Sequence, residues 1–366
     1  MKKTRLYGVF LAAAVWFILA VLAWVYPARA ESETERRALA QKPALTAGSV
    51  LDGSFMAKFE TAAQDQFPFR EGFRTVKAAA SYGVFRQGDN NGIYLSQGHA
   101  AKLEYPYNES AGDRAANLFQ KVFDRYFAGR GGKAVFAVVP DKGYFLASPG
   151  GYPAMDYNAL FDRMKDQDWA EFVDLTDCLT ADSYFRTDTH WRQEALLPAA
   201  EKLARALGSA VPREESYTPE ALETPFYGVY RGQAALPMKA DTLVMMTSPV
   251  LENCTVYNYE TGKTGKVYDL TKLDSRDLYD VFLSGPVSLL EITNPAGPED
   301  KTLVVFRDSF GSSLVPLLVE GYGRVILADL RYMPGSTLED YVDVSGADVL
   351  FLYSTLVLNN STLLRW

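Results

Sequence analysis

The histidine in FRTDTHW, Phe185 to Trp191, is one of only two in a chain of 366 residues, and a carboxylate stands two positions before it. An imidazole can take a proton from a hydroxyl near neutral pH, and an aspartate on its other ring nitrogen fixes the tautomer and steadies the cation that forms. Asp188 and His190 are thus a candidate orienter and general base that still need a nucleophile. The candidate is Ser309 in TLVVFRDSFGSSL, where an apolar strand from Leu303 to Phe306 runs into Arg307-Asp308-Ser309-Phe310-Gly311, and a helix is expected from about Ser312. A serine at the C-terminal end of a parallel strand stands where α/β sheets bind ligands. Its own N–H would lie near the positive end of the following helix, placed to stabilise an oxyanion. Spacing alone also allows plainer readings. Asp188 could cap a helix over WRQEALL, which Pro198 complicates, and Ser309 could cap the helix that follows it. The second histidine, His99 in SQGHAAK, is expected on a polar loop with no carboxylate beside it in sequence.

The elements that must position these groups follow from periodicity. GDRAANLFQKVFDRYFA carries apolar residues at Ala115, Leu118, Phe119, Val122, Phe123 and Tyr126, the spacing of an amphipathic helix. AVFAVV at Ala134–Val139 is a short continuous apolar run, and EFVDLT, TLVVF, RVILADL and DVLFLYS repeat the type. Such runs suit strands buried on both faces. Alternation with helices predicts an α/β domain around a mostly parallel sheet. A stretch rich in Thr, Tyr, Gly and charge, 240–300, is expected as an inserted β-hairpin or lid. Within it TGKTGK at 261–266 is not a phosphate loop, because Tyr257 occupies the position where that motif needs a glycine.

The chain begins MKKTR and continues into an uncharged apolar run of 20 residues, Tyr7–Tyr26. That length suits a bilayer-spanning helix better than a signal-peptide core, and basic residues before it predict a cytoplasmic N-terminus with the rest of the chain outside. Ala28-Arg29-Ala30 resembles a cleavage site, so a signal peptide over 1–30 stands as the alternative to an uncleaved anchor. Residues 31–90 read as a polar juxtamembrane stalk followed by helix, broken at Phe67-Pro68-Phe69. Residues 91–366 read as the α/β domain. With 48% hydrophobic residues, including 22 Tyr and 21 Phe, the exported part can build a large core, and the net charge of −8 argues against nucleic acid as a partner. Cys178 and Cys254, far apart in the chain, read as structural; whether they pair is left open by the sequence. Two distant histidines are a poor ligand set, so neither a metal nor another cofactor is expected.

The ordered segments FAVVPDKGYF, VDL, YFRTDTHW and VVFRDSFGSSL resemble the DHHW family and the alginate O-acetylation proteins of the SGNH hydrolase superfamily. The resemblance runs from about Asp65 to Tyr353 and takes in QFPFRE and NGIYL. It implies a three-layer α/β/α fold, with Asp188 as orienter, His190 as base and Ser309 as nucleophile, the Asp-x-His pair preceding the serine as in that family. Thr189 stands where the family's namesake motif has its first histidine, and Arg307 where the usual block has glycine. Arg307 is expected to bear on the oxyanion hole or substrate approach. Lys142, in VPDKGY, matches a family segment near the substrate, with a surface ion pair as the plainer alternative. The activity implied is O-acetyl transfer to an exported polysaccharide, the acetyl group arriving from a multispanning membrane acyltransferase. The competing readings are an acetylesterase with the same three residues and a non-catalytic, membrane-tethered glycan-binding subunit.

Overall fold

The computed structural model describes residues 2–366, and the chain divides into two compact units. One comprises the residues up to Asn91 together with Arg231–Pro237; the other comprises Gly92–Tyr230 and Met238–Trp366.

The first unit opens with helix α1, Lys2–Val25, whose stretch Leu6–Val25 is long and apolar enough to cross a membrane and has none of its residues buried. Helices α2, Ser54–Asp65, and α3, Arg70–Ala79, follow on either side of Phe67-Pro68-Phe69, the expected break. Pro68 cannot donate to a helical ladder, and Phe69 takes a left-handed φ of 56° to start the new helix. The short segment 231–237 belongs to this unit although it lies within the sequence of the other: Asn90 Nδ2 donates to Ala234 O at 2.9 Å and Arg74 Nη2 to Gly232 O at 2.7 Å.

The second unit is built on an eight-stranded sheet of β1 (Ala134–Val139), β2 (Glu171–Asp174), β3 (Thr255–Asn258), β4 (Lys263–Gly265), β5 (Leu289–Thr293), β6 (Thr302–Arg307), β7 (Arg324–Ala328) and β8 (Asp348–Ser354). The spatial order is β4-β3-β5-β7-β6-β8-β1-β2. The apolar runs singled out in the sequence form the parallel portion β7-β6-β8-β1-β2. Successive side chains alternate between two cores: Leu303 and Val305 of β6 face one layer with Leu203 and Leu207 of helix Leu197–Leu207, while Val304 and Phe306 face the other with Phe119 and Val122 of helix Glu109–Tyr126. The result is the three-layer α/β/α arrangement.

The segment 240–300, expected as an inserted β-hairpin or lid, contains a hairpin that is joined to the central sheet. β3 and β4 do form a hairpin, but β3 pairs antiparallel with β5 and β5 with β7, so the segment extends the central sheet. Inward residues Val256, Leu290 and Ile292 bury on the main core, which is why this segment is sheet and not lid.

Candidate active site

Ser309 follows β6 at the C-terminal end of the central parallel strand, in the turn Asp308-Ser309-Phe310 before the α-helical turn Gly311–Leu314. That turn holds four residues and continues as a 3₁₀ segment, Val315–Gly321. The helix, starting one residue before the expected Ser312, is a single turn, and its dipole is correspondingly small. The turn is held by Asp308: one carboxylate oxygen accepts from Phe310 N at 3.0 Å and the other from Ser354 N at the end of β8 at 2.7 Å. Ser309 itself is half-buried.

The histidine comes from a hairpin-like loop closed by the bridge between Tyr184 and Trp191. Asp188 does not cap a helix, since helix Leu197–Leu207 starts later, with Pro198 in its first turn where a missing N–H costs nothing. Its Oδ1 accepts from His190 N at 3.0 Å and lies 2.6 Å from His190 Nδ1, while Oδ2 accepts from Val229 N at 2.8 Å. His190 Nε2 stands 2.8 Å from Ser309 Oγ across a sequence separation of 119 residues. Ser309, His190 and Asp188 therefore form one hydrogen-bonded chain, with the carboxylate fully buried and the serine reaching the surface.

What locks the two loops together was not singled out from the sequence. Trp191 Nε1 donates to Phe310 O at 3.0 Å and Ser313 Oγ at 2.9 Å, and Gln193 Nε2 donates to Ser313 O at 2.8 Å. The Tyr279 ring stacks on the His190 imidazole with centroids 3.8 Å apart and planes 6° apart, while its hydroxyl meets Ser313 Oγ at 2.8 Å. Asp241 caps the tip of the loop, accepting from Arg186 N at 2.9 Å and from Thr187 N at 2.8 Å. Gly228 passes so close that a Cβ there would lie 2.3 Å from Asp188 Cα, which leaves no room for another residue. Thr189, in place of the namesake histidine, accepts from the Tyr230 hydroxyl at 2.9 Å.

Lys142 and Arg307, expected toward the substrate, are 1% and 0% exposed and lie beneath the two loops. Lys142 is no surface ion pair either. Its ammonium donates to Phe185 O at 2.9 Å and approaches Arg186 O at 3.4 Å, 5.1 Å from the Tyr230 ring centroid, bracing the loop that carries Asp188. Arg307 Nη1 donates to Asp308 O at 3.3 Å and Ser312 Oγ at 3.1 Å, supporting the serine turn from below; its Nε and Nη2 make no hydrogen bond among the described residues. His99 also differs from expectation: it is buried in the strand His99–Lys102, with Nε2 3.5 Å from Asp182 Oδ1. Cys178 and Cys254 are free thiols, both pushed up to about 11, chiefly by burial.

Burial pushes the Lys142 ammonium down to about 7 against the opposing pull of Asp188, Asp241 and Asp141. The unfolded chain keeps that proton up to the ordinary lysine value near 10.4. Between these limits the unfolded state binds more protons, so native stability rises with pH through the window; below about 7 the cost of the buried charge is felt in full. A shift of this size corresponds to roughly 5 kcal/mol of pH-dependent stability. Lys142→Met should flatten the difference between urea unfolding curves recorded at pH 6.5 and about pH 10, a span set by the two ends of the linkage window. An unchanged difference would show that Lys142 is not the group responsible.

An α/β sheet with a serine at the end of a central strand, hydrogen-bonded to a histidine and aspartate from a preceding loop, defines an SGNH hydrolase-like protein. The family described as "SGNH hydrolase-like domain, acetyltransferase AlgX" matches residues 92–285, and the chain belongs to that family. The match includes Asp188 and His190 and ends before Ser309. Two relatives are each described as "Probable alginate O-acetylase AlgJ". That of Pseudomonas syringae pv. tomato is 27% identical over 309 residues, covering 78% of this chain and 74% of its own. That of Pseudomonas fluorescens is 22% identical over 302 residues, covering 76% and 72%. Among solved structures, a DHHW family protein from Eubacterium siraeum superposes with a TM-score of 0.60 at 20% identity, over 75% of this chain and 94% of that one. Bacillus cereus PatB1 gives 0.58 at 15% identity, over 73% and 96%. At these identities the structural likeness establishes the fold.

Proposed function

We propose that this protein is a serine-dependent O-acetyltransferase that modifies an exported polysaccharide. The observation that carries the reading is the continuous path from Ser309 Oγ through both nitrogens of His190 to Asp188, at 2.8 and 2.6 Å. The names of the Pseudomonas relatives support the acetyl group and the polysaccharide acceptor. The apolar helix α1 supports anchoring, the basic residues before it favour an outer location for the rest of the chain, and the acetyl donor would be the multispanning membrane acyltransferase that the family resemblance implies.

In the first half of the cycle Ser309 Oγ attacks the donor's acetyl carbonyl while its proton passes to His190 Nε2. Collapse of the tetrahedral adduct expels the donor's leaving group, which takes the proton back from Nε2, and an acetyl ester remains on Ser309. In the second half a sugar hydroxyl enters, gives its proton to Nε2 and attacks the ester; Ser309 leaves as the alkoxide and recovers that proton. Asp188 holds the Nδ1–H throughout and stabilises the imidazolium in both halves, with the face of Tyr279 against the ring. Lys142 and Arg307 act from behind, bracing the two loops.

Water could replace the sugar in the second half, which would make the protein an esterase. The test is to give full-length protein a chromogenic acetyl ester in the presence of unacetylated oligosaccharides and follow both products. Acetyl found on the oligosaccharide, rising with acceptor concentration at the expense of free acetate, is the expected result. Acetate release indifferent to every acceptor would establish an esterase. No acetyl-enzyme and no turnover, with glycan still bound, would establish a tethered binding subunit.

A further inference from the structure

Helix α3 of the first unit turns its faces the opposite way from a helix that meets water. Its basic residues Arg70 and Arg74, one turn apart, are only 14% and 13% exposed: Arg70 Nη1 lies 2.5 Å from Glu35 Oε2 and Arg74 Nη1 2.9 Å from Glu71 Oε2. The neighbouring stripe of Phe69, Phe73 and Val76, at i, i+4 and i+7, stands 61%, 49% and 66% exposed. A water-facing helix puts its charges outward and its apolar stripe on the core. Here the ion pairs occupy the inner side and the apolar stripe is left outside.

A second observation says what covers it. The stripe begins at the outer end of α1: the Tyr26 and Phe69 rings are 6.4 Å apart. The same corner is fastened by Arg29 N donating to Gln66 Oε1 and Gln66 Nε2 donating to Arg29 O, each at 2.9 Å. Phe69 adopts its left-handed φ of 56°, an uncommon state for a bulky side chain, at this junction. Trp24 and Tyr26 end the apolar helix, with the Lys42 ammonium 4.9 Å from the Trp24 ring centroid. Aromatic rings and a cation gathered at the end of an apolar helix are the side chains that settle at a membrane–water interface.

We propose that the Phe69, Phe73 and Val76 stripe of α3 lies in the interfacial layer of a lipid bilayer, beside the outer end of α1. This rests on the reading of α1 as a membrane span. Lipid is the occupant because the stripe is continuous with the end of that span, and because a half-buried amphipathic helix lying flat needs only one apolar face.

The test uses full-length Cys178→Ser protein in phosphatidylcholine vesicles, Cys254 being buried and unreactive to the label. Nitroxide labels are placed on Phe73→Cys, Val76→Cys, Thr75→Cys and, within α1, Ile18→Cys. Collisions with oxygen, which partitions into lipid, are compared with collisions with a water-soluble nickel chelate. Labels at 73 and 76 should be several-fold less accessible to nickel than the label at 75 and should resemble the label at 18 in favouring oxygen. If 73 and 76 are as nickel-accessible as 75 while 18 is in lipid, the stripe proposal falls and the span stands. If 18 is also nickel-accessible, the span reading fails and the proposal fails with it. Protection of 73 and 76 in native membranes but not in pure lipid vesicles would mean that a protein covers the stripe, which also overturns the proposal.

Discussion

Replacing Ser309 by alanine should lower kcat/KM for acetyl transfer by a factor on the order of 10⁴ to 10⁶, or roughly 5 to 8 kcal/mol of transition-state stabilisation. In the proposed mechanism the substitution removes the atom that would form the covalent ester, and it leaves little else changed. Ser309 is half-buried, its turn is fixed by Asp308 and not by its own side chain, and among the described residues the only side-chain bond lost is the one to His190 Nε2. Thermal unfolding should therefore move by no more than a few degrees, on the order of 1 kcal/mol for one hydrogen bond. His190→Ala should fall as far, and the double variant no further, because residues that act as one unit are not additive. A double variant slower than either single one by the product of their effects would show that Ser309 and His190 act independently. A Ser309→Ala variant with wild-type turnover would move the nucleophile elsewhere.

Much of this site is legible in the sequence for a local reason. Asp188 and His190 are two residues apart, and their contact needs only a turn. Ser309 is announced by the apolar run before it, since burial on both faces keeps the middle of the strand, Leu303–Phe306, apolar and polar residues gather at its end. The position of Trp191 next to the histidine is visible as well, but not that its indole crosses to Ser313. Tyr279, Asp241 and Gly228 are a different case. Each reaches the histidine loop from a distant segment, and nothing in TPFYGVY or RDLYDVF marks Gly228 or Tyr279 for this role. Lys142 and Arg307 mislead in the opposite sense: charged side chains are rarely fully buried, so a sequence places them outside. The fold buries them because backbone carbonyls of the histidine and serine loops need donors from beneath. The 240–300 segment shows the same limit for strands. Its richness in Thr, Tyr and Gly points to β structure, but only the free edge of β7 decides that β5 and β3 join the main sheet.

Asp188→Asn is the sharpest test of the roles inside the chain, because the change is a single atom and the surroundings offer that atom no acceptable place. Three N–H groups converge on the carboxylate: His190 N and Nδ1 on Oδ1, and Val229 N on Oδ2. An ionised carboxylate accepts from all three, whereas an amide brings a donor of its own. If the NH₂ faces Val229, two donors oppose each other in a buried position and the loop 228–229 is pushed from its hold on residues 187 and 188, at a cost of about 1–3 kcal/mol. If it faces His190, the imidazole must accept at Nδ1 and carry its proton on Nε2, the tautomer that cannot take a proton from Ser309. In the second arrangement the rate should fall by about 10⁴, as expected when a base is held in the wrong tautomer; in the first the tautomer is kept, and the loss comes from the missing negative charge opposite the imidazolium and the displaced loop. Ser309 remains in place, so an activated sulfonyl fluoride should still label it, only slowly, and the rate of labelling should rise with pH as hydroxide takes over from the imidazole. Undiminished labelling at neutral pH would mean that Asp188 contributes only to folding. Nδ1 of His190 observed by NMR as an acceptor in the variant and a donor in the wild type would tie the loss directly to the tautomer.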